Sequence, residues 1–179
     1  MAIQIYILSK LIEGNNYPYE LKRQLSEPIP FDEFAGLTES KLYYHFEALT
    51  KQGLIEVVEV IREEHRPDKQ VFAITEKGRK ELPKKIYSLF EKSKAVSEMI
   101  IGLATLDYVD RDKVVLILEE KLQKHKERWN HMAAFREMID VDESRMNFVN
   151  FMSDYFDSKA EHTAHWIEET IERIKQGKI

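Results

Sequence analysis

The sequence lacks cysteine entirely, and this absence removes several classes of protein at once. Without a thiol there is no disulfide framework, no cysteine-ligated zinc and no thiolate nucleophile. Zinc fingers and cysteine-dependent redox enzymes are therefore excluded. The sequence also has no Gly-rich phosphate loop, no Gly-x-Ser-x-Gly and no His-Glu-x-x-His, so we expect neither an enzyme nor a bound cofactor.

Long hydrophobic runs are missing as well. None approaches the roughly 20 residues that span a bilayer, and the segment 1–8 has no basic start or small-residue cleavage site. The chain nevertheless has 43% hydrophobic and 33% charged residues, a composition typical of a protein that buries a core. These features predict a folded cytoplasmic protein.

An excess of basic residues is also absent. The net charge is -5, and residues 1–83 contain 11 Lys and Arg against 14 Asp and Glu. Proteins that bind nucleic acid indiscriminately usually carry a basic excess over the whole domain. Any contact with DNA must therefore be focused on a few cations.

Two short helices are predicted near the start of the chain. Almost continuous apolar residues over Ile3–Ile12 indicate a helix that is buried on most sides. A second helix fits Pro18–Leu25, with proline at its entry and Tyr19 and Leu21 packing beside Leu25.

A third helix is predicted from Thr38, a favourable N-cap, to Gly53, a natural stop. The spacing of Leu42, Phe46 and Leu49 places these three side chains on one buried face. The other face is polar and comprises Ser40, Lys41, Tyr44, His45, Ala48 and Lys51.

The hydrophobic period then changes to that of strands. Residues 55–61 and 71–74 are rich in β-branched and aromatic residues, and the charged segment 62–70 between them contains the Pro and Asp of a turn. Three helices followed by a two-stranded wing make a winged helix-turn-helix domain.

Three long helical patterns account for most of the remaining chain. The first runs from Thr75 to about Gly102, the second starts after Asp110 and the third starts near Ser144. Helices of about 30 residues span roughly 45 Å, which is more than a small monomeric domain covers. We therefore predict a mainly α protein with a winged helix-turn-helix domain at 1–83 and a helical dimerisation domain at 84–179. The predicted homodimer seam includes Leu118, Leu122, Ile167 and Ile171.

The first half of the sequence resembles the PadR family of transcriptional regulators. The residues that carry the resemblance are Tyr19-Glu20-Leu21, Leu42-Tyr43, Leu49, Gly53-Leu54-Ile55 and Phe72-x-Ile74-Thr75-x-x-Gly78. One departure is Pro18, where the family commonly has glycine. The match covers roughly residues 3–82, and beyond it the likeness is one of helix number and order to the longer PadR subfamily.

The resemblance implies a repressor that a small ligand releases from its DNA. It also implies that Thr38, Ser40, Lys41, Tyr43 and Tyr44 lie on or beside the recognition helix, and that Arg66 and Lys69 lie at a wing tip that meets the DNA backbone.

The residue types themselves suggest further contacts with a DNA duplex. Recognition helices enter the major groove by their N-terminal part, so Ser40 and Lys41 can reach bases or phosphates, with Tyr44 or His45 one turn later. Lys22 and Arg23 are placed for phosphate contacts. The wing offers Arg62, Arg66 and Lys69 to the backbone or the minor groove.

The second half of the chain is rich in aromatic residues and methionine. A planar aromatic effector would suit a lining of Trp129, Met132, Phe148, Met152 and Tyr155. The same residues also fit a helical core or a dimer seam, which is the more frequent role of such stripes.

Two further hypotheses follow from the sequence. The segment Glu161-His162-x-x-His165, with Asp157 one turn earlier, would suit a metal ion, but a solvated face explains the same residues and no metal is expected. The alternative function is a winged-helix module that binds protein without sequence-specific DNA binding, which the acidic charge favours.

Overall fold

The computed structural model describes residues 1–26, 39–62, 68–136 and 142–179. They fall into two compact units, of which the first comprises Met1–Leu89 and Ile101–Val109 and the second comprises Phe90–Ile100 and Asp110–Ile179. The mainly α fold with a two-stranded wing is confirmed. The sequence-based boundary between 83 and 84 stays a prediction.

Helix α1, Ala2–Glu13, supplies the centre of the first unit. Ile5, Ile7 and Leu8 are completely buried, as the continuous apolar pattern predicted. The Tyr6 hydroxyl donates a 2.8 Å hydrogen bond to the carbonyl of Leu21, and burial raises its pKa. This buried bond fixes the next helix against α1.

Helix α2, Pro18–Ser26, begins at proline as predicted. Its buried residues are Pro18, Leu21 and Leu25, and the two leucines lie one turn apart on the same face. Tyr19 is 59% exposed, so the prediction that it packs beside them was wrong. Two residues along a helix correspond to a rotation of about 200°, and Tyr19 therefore faces away from Leu21.

Helix α3, Glu39–Lys51, buries the predicted stripe of Leu42, Phe46 and Leu49. It ends at Gly53, whose φ of 67° lies in the left-handed region that favours glycine. The amide of Leu54 donates to the carbonyl of Leu49, and that of Gly53 donates to Thr50. These bonds form a Schellman-type C-cap, and the chain turns directly into the sheet.

The wing consists of strand β1, Ile55–Ile61, antiparallel to strand β2, Lys69–Ile74. Lys69 and Gln70 therefore belong to β2, although they were predicted to lie in the loop, because they pair with Ile61 and Val60. A bulge interrupts the register between Val57 and Glu59.

A third segment pairs with the sheet at its other edge. Backbone hydrogen bonds run in both directions between Asn16 and Phe72, at 3.1 and 2.8 Å. This bridge brings the start of α2 to the β2 edge of the wing.

Helix α4, Glu76–Lys92, follows β2 along the chain and begins beside the C-terminal end of α3. The Thr75 hydroxyl accepts a bond from the amide of Gly78 and donates one to the carbonyl of Gly53, at 3.0 and 2.8 Å. The predicted N-cap at Thr75 is thus confirmed. Gly78 is buried directly against the backbone of Leu54.

The prediction that this helix continues to about Gly102 was wrong. Helix α4 ends at Lys92, and short helical segments follow at Val96–Met99, Ile100–Leu103 (α5) and Leu106–Tyr108. The Lys121 ammonium donates to the carbonyls of Glu91 and Ser93, at 2.9 and 2.7 Å. A side chain remote in sequence thus satisfies carbonyls at the helix end.

The second unit is built on two long helices, α6 at Arg111–Arg136 and α7 at Met146–Lys175. They are antiparallel, because Lys175 pairs with Glu119 and Lys126 with Glu168. Most of the buried side chains described in this hairpin lie where α6 begins and α7 ends: Val114, Val115 and Leu118 on α6, and Ile167, Thr170, Ile171 and Ile174 on α7. Ala160 is buried nearer the middle of α7. Among the described residues, no helix is long and apolar enough to cross a membrane.

Replacing Gly78 by alanine tests the joint between α3 and α4. The new Cβ would overlap the carbonyl of Leu54 and lie 2.7 Å from Ile74 Cγ1, so we expect a loss of about 1–3 kcal/mol in the free energy of unfolding. Gly14→Ala is the matched control, since its φ of 167° is extended and its Cβ would meet nothing within 4 Å. Equal urea midpoints for the two variants would show that the contact is not tight.

Candidate nucleic-acid interface

The exposed side of α3 carries polar and aromatic groups near its start. Tyr43 is 45% and Tyr44 67% exposed, which is high for such large side chains. The exposed residues predicted for DNA contact here are Ser40, Lys41, Tyr43 and Tyr44. Because the opposite face of α3 is packed into the core, these groups are presented from a fixed helix.

His45 occupies the border between this exposed side and the core. It is half-buried, and its Nδ1 atom is buried without a hydrogen-bond partner among the described residues. Burial lowers the pKa of His45, and the neighbouring N-terminal amino group lowers it further. The ring also meets Tyr44 edge-on, with centroids 5.4 Å apart. The side chain thus belongs partly to the packing of the domain.

Helix α2 contributes two of the predicted phosphate contacts. Lys22 is half-buried, whereas Arg23 is exposed. The Arg23 guanidinium lies 2.7 Å from Glu20 in an i, i+3 ion pair. Exposed pairs of this kind contribute at most about 1 kcal/mol, so a phosphate can compete for the arginine.

The wing contributes cations at the ends of its two strands. Arg62 is exposed directly after β1, and Lys69 opens β2. The Lys69 ammonium lies 5.7 Å from the ring centroid of Tyr17, within cation–π range. Thr38 and Arg66, which were also predicted for DNA contact, lie outside the described residues.

Acidic side chains interrupt this surface. Glu47 on α3 and Glu56 and Glu59 on β1 are exposed. A phosphate backbone is repelled by these carboxylates and attracted by the cations around them. The arrangement restricts favourable contact to particular positions rather than to a whole face.

A cavity of about 490 Å³ lies between the start of α2, the side of α3 and the wing. Its walls include Tyr17, Tyr43, Phe46, Val57 and Phe72. Sequence reasoning missed it, because these residues come from distant segments that meet through the Asn16–Phe72 bridge. Only the aromatic character of the individual segments was visible in the sequence.

A comparison with known protein families matches the part of the chain that forms these helices and the wing. Residues 7–84 match the model of the transcriptional regulator PadR-like family. The match covers a little under half of the chain, and we call residues 7–84 the PadR-like domain. Its Gly53, Thr75 and Gly78 make the α3–β1 turn and the α4 cap, which gives the motif residues a structural reason.

Solved structures of PadR proteins also resemble this chain. A PadR family transcription regulator from Clostridium difficile R20291 is 24% identical, covering 48% of this chain and 83% of its own, with a TM-score of 0.39. Bacillus subtilis PadR in complex with operator DNA is 14% identical over 97% and 99%, with a TM-score of 0.41. The same protein with p-coumaric acid is 16% identical over 98% and 99%, with a TM-score of 0.37. No curated protein matches the chain.

Beyond the PadR-like domain, the residues predicted to bind an effector are spread along the helical hairpin. Trp129 and Met152 are half-buried, whereas Met132, Phe148 and Tyr155 are exposed. Tyr155 lines a shallow groove of about 400 Å³ on α7 with Phe151, Lys159 and His162. These residues are spaced three or four apart, which places them on one side of a helix, but the sequence analysis did not group them. The effector role stays a prediction.

The residues predicted for the dimer seam lie inside the hairpin of one chain. Leu118, Ile167 and Ile171 are buried there without a partner chain, and Leu122 is half-buried. They hold α6 against α7. Whether they also contact a second protomer stays a prediction.

Two histidines of the hairpin are engaged in hydrogen bonds. His125 Nε2 lies 3.0 Å from the carbonyl of Ala160, and the indole of Trp166 donates to His162 Nε2 at 3.1 Å. In the described part of the chain, no three His, Asp or Glu side chains come together as metal ligands.

The lowered pKa of His45 predicts a pH-dependent stability. Because the unfolded chain binds this proton more tightly, stability falls as the pH drops from about 6.5 towards the folded-state pKa. His45→Gln should therefore make the free energy of unfolding less sensitive to acid between pH 6.5 and 5, as measured by urea titration. Between pH 7 and 8 the two proteins should differ by a constant amount, and identical acid slopes would contradict the assignment.

Proposed function

We propose that this chain is a transcriptional repressor that binds a palindromic operator as a homodimer and is released by a small aromatic effector. The observation that carries the proposal is the exposed polar side of α3, anchored from behind by buried leucines in a PadR-like domain. The N-terminal part of such a helix fits the major groove, where side chains read base edges.

In this proposal, the cations around α3 supply the salt-dependent part of the binding free energy. Each protomer offers six for phosphate contacts: Lys22, Arg23, Lys41, Arg62, Arg66 and Lys69. If a dimer uses roughly half of the twelve, the slope of log affinity against log salt is about -5. The acidic charge of the rest of the domain then limits binding to arbitrary DNA.

The DNA upstream of the chain's own gene is the first duplex to test. Salt-dependent binding that survives an excess of random duplex is the expected result. The alternative, which the acidic charge favours, is a winged-helix module that binds only protein. Such a module would show no binding to this duplex at any salt concentration.

Lys41→Ala and Tyr43→Ala test the assigned face of α3. Each should weaken operator binding by about 1–3 kcal/mol in fluorescence anisotropy, because each removes one contact to a base or phosphate. Lys84→Ala serves as the control, since this lysine is exposed on α4 and belongs to none of the proposed contacts. Unchanged affinity in both test variants would remove α3 from the interface.

The homodimer is supported by an uncovered apolar stripe on α7. Phe148 and Phe151 are 67% and 65% exposed, and Tyr155 is 52% exposed. With His162 and Trp166, these residues recur at intervals of three and four, or multiples of them, on one side of the helix. Apolar patches of this kind mark interfaces, so we place the seam along this stripe, and the buried hairpin residues hold it in place.

Phe151→Glu should separate the protomers. The side chain is exposed within one chain, so the charge should leave the hairpin folded while it disrupts the seam. Sedimentation should then report the single-chain mass of 21.2 kDa in place of twice that value. Asn150→Glu is the control, because it adds the same charge beside the stripe.

Operator affinity should fall together with the dimer in Phe151→Glu, since two half-sites are no longer bound at once. A variant that remains dimeric and keeps full affinity would place the seam elsewhere.

A further inference from the structure

The cavity beside α3 has the size and shape of a small-molecule site. Its volume of about 490 Å³ lies within the range of about 300–1,000 Å³ that is usual for ligand pockets. The described residues that line it all belong to the PadR-like domain, between positions 17 and 72. None of the effector residues predicted in the C-terminal half is among them.

The walls of the cavity are aromatic and firmly held. Phe46 and Phe72 form a packed pair with ring centroids 4.8 Å apart, and both are nearly completely buried. Tyr19 and Tyr43 also line the cavity but are exposed, so they stand where a ligand would enter. Aromatic walls favour a flat ring that stacks on them or meets them edge-on.

Among the described residues that line the cavity, the charged groups are equal in number and opposite in sign. Lys51 and Lys69 are matched by Glu47 and Asp68. Such a set has no excess charge of either sign to favour an ionic ligand. Ammonium donors and carboxylate acceptors together suit a hydroxyl group, which both donates and accepts hydrogen bonds.

We propose that this cavity binds an uncharged planar aromatic molecule of two or three rings that carries hydroxyl groups, and that its occupancy weakens DNA binding. The second part rests on the proposed function. Tyr43 and Lys69 line the cavity and are also proposed DNA contacts, so an occupant repositions side chains that the duplex needs. By linkage, DNA then lowers the affinity for the ligand by the same factor.

Calorimetric titration of the full-length chain with 2,6-dihydroxynaphthalene tests the site directly. The expected result is one ligand per chain. Naphthalene-2,6-disulfonate and a naphthylmethylammonium salt are the charged comparisons, and each should bind at least tenfold more weakly. Equal or tighter binding of either charged compound would overturn the assigned ligand class.

Val57→Trp fills the cavity and should lower the affinity for the diol at least tenfold. Val60→Trp is the matched control, because Val60 lies on the same strand, is similarly exposed at 47% against 40%, and does not line the cavity. Tyr19→Ala, at an exposed wall position, gives a second test that does not depend on strand packing. The proposal is overturned if the wild type does not bind the diol, or if the two wall variants bind it as the wild type does.

The link to DNA is measured separately, by anisotropy on the upstream duplex with and without saturating diol. A severalfold loss of wild-type DNA affinity that is absent in Val57→Trp is expected, and no loss would overturn the coupling. If the ligand-free protein does not bind DNA at all, the proposed function is wrong. The proposal that the cavity binds the diol is then still tested by calorimetry alone.

Discussion

The joint at Gly53 and Leu54 is the constraint on which the surface proposed to face DNA depends. Here α3 ends and β1 begins, and Thr75, which caps α4, is hydrogen-bonded to the same turn. The amide of Thr75 bonds to Leu54 and its hydroxyl to Gly53, while the Lys77 ammonium bonds to Gln52. These bonds fix the C-terminal end of α3 against the sheet and the start of α4, and the buried face of α3 fixes the rest of the helix.

The parts of the fold that depend on neighbours in sequence could be predicted. The stripe of Leu42, Phe46 and Leu49, the glycine stop and the threonine cap are each set within a few residues. The end of α4 could not be, because the group that satisfies its carbonyls is Lys121, about thirty residues later. The aromatic cavity was missed for the same reason, since the Asn16–Phe72 bridge that closes it has no local signal.

The sequence indicated which residues belong to the candidate site better than it indicated what surrounds them. Tyr43, Tyr44 and Lys41 are exposed as expected, but His45 is partly drawn into the core. On α7 the helical period showed apolar residues without showing which of them a single chain covers. Ile167 and Ile171 are buried, whereas Phe148 stays exposed, because α6 and the segment Val96–Met99 pack against only part of α7.

The central claim is that the exposed side of α3 lies against a duplex, and photocrosslinking tests it most directly. A benzophenone amino acid is introduced in place of Tyr44, or in place of Lys80 on α4 as the reference, and the protein is irradiated with the upstream duplex. The account predicts a covalent adduct from position 44 and little from position 80. Adducts of equal yield, or adducts from position 80 alone, would contradict it.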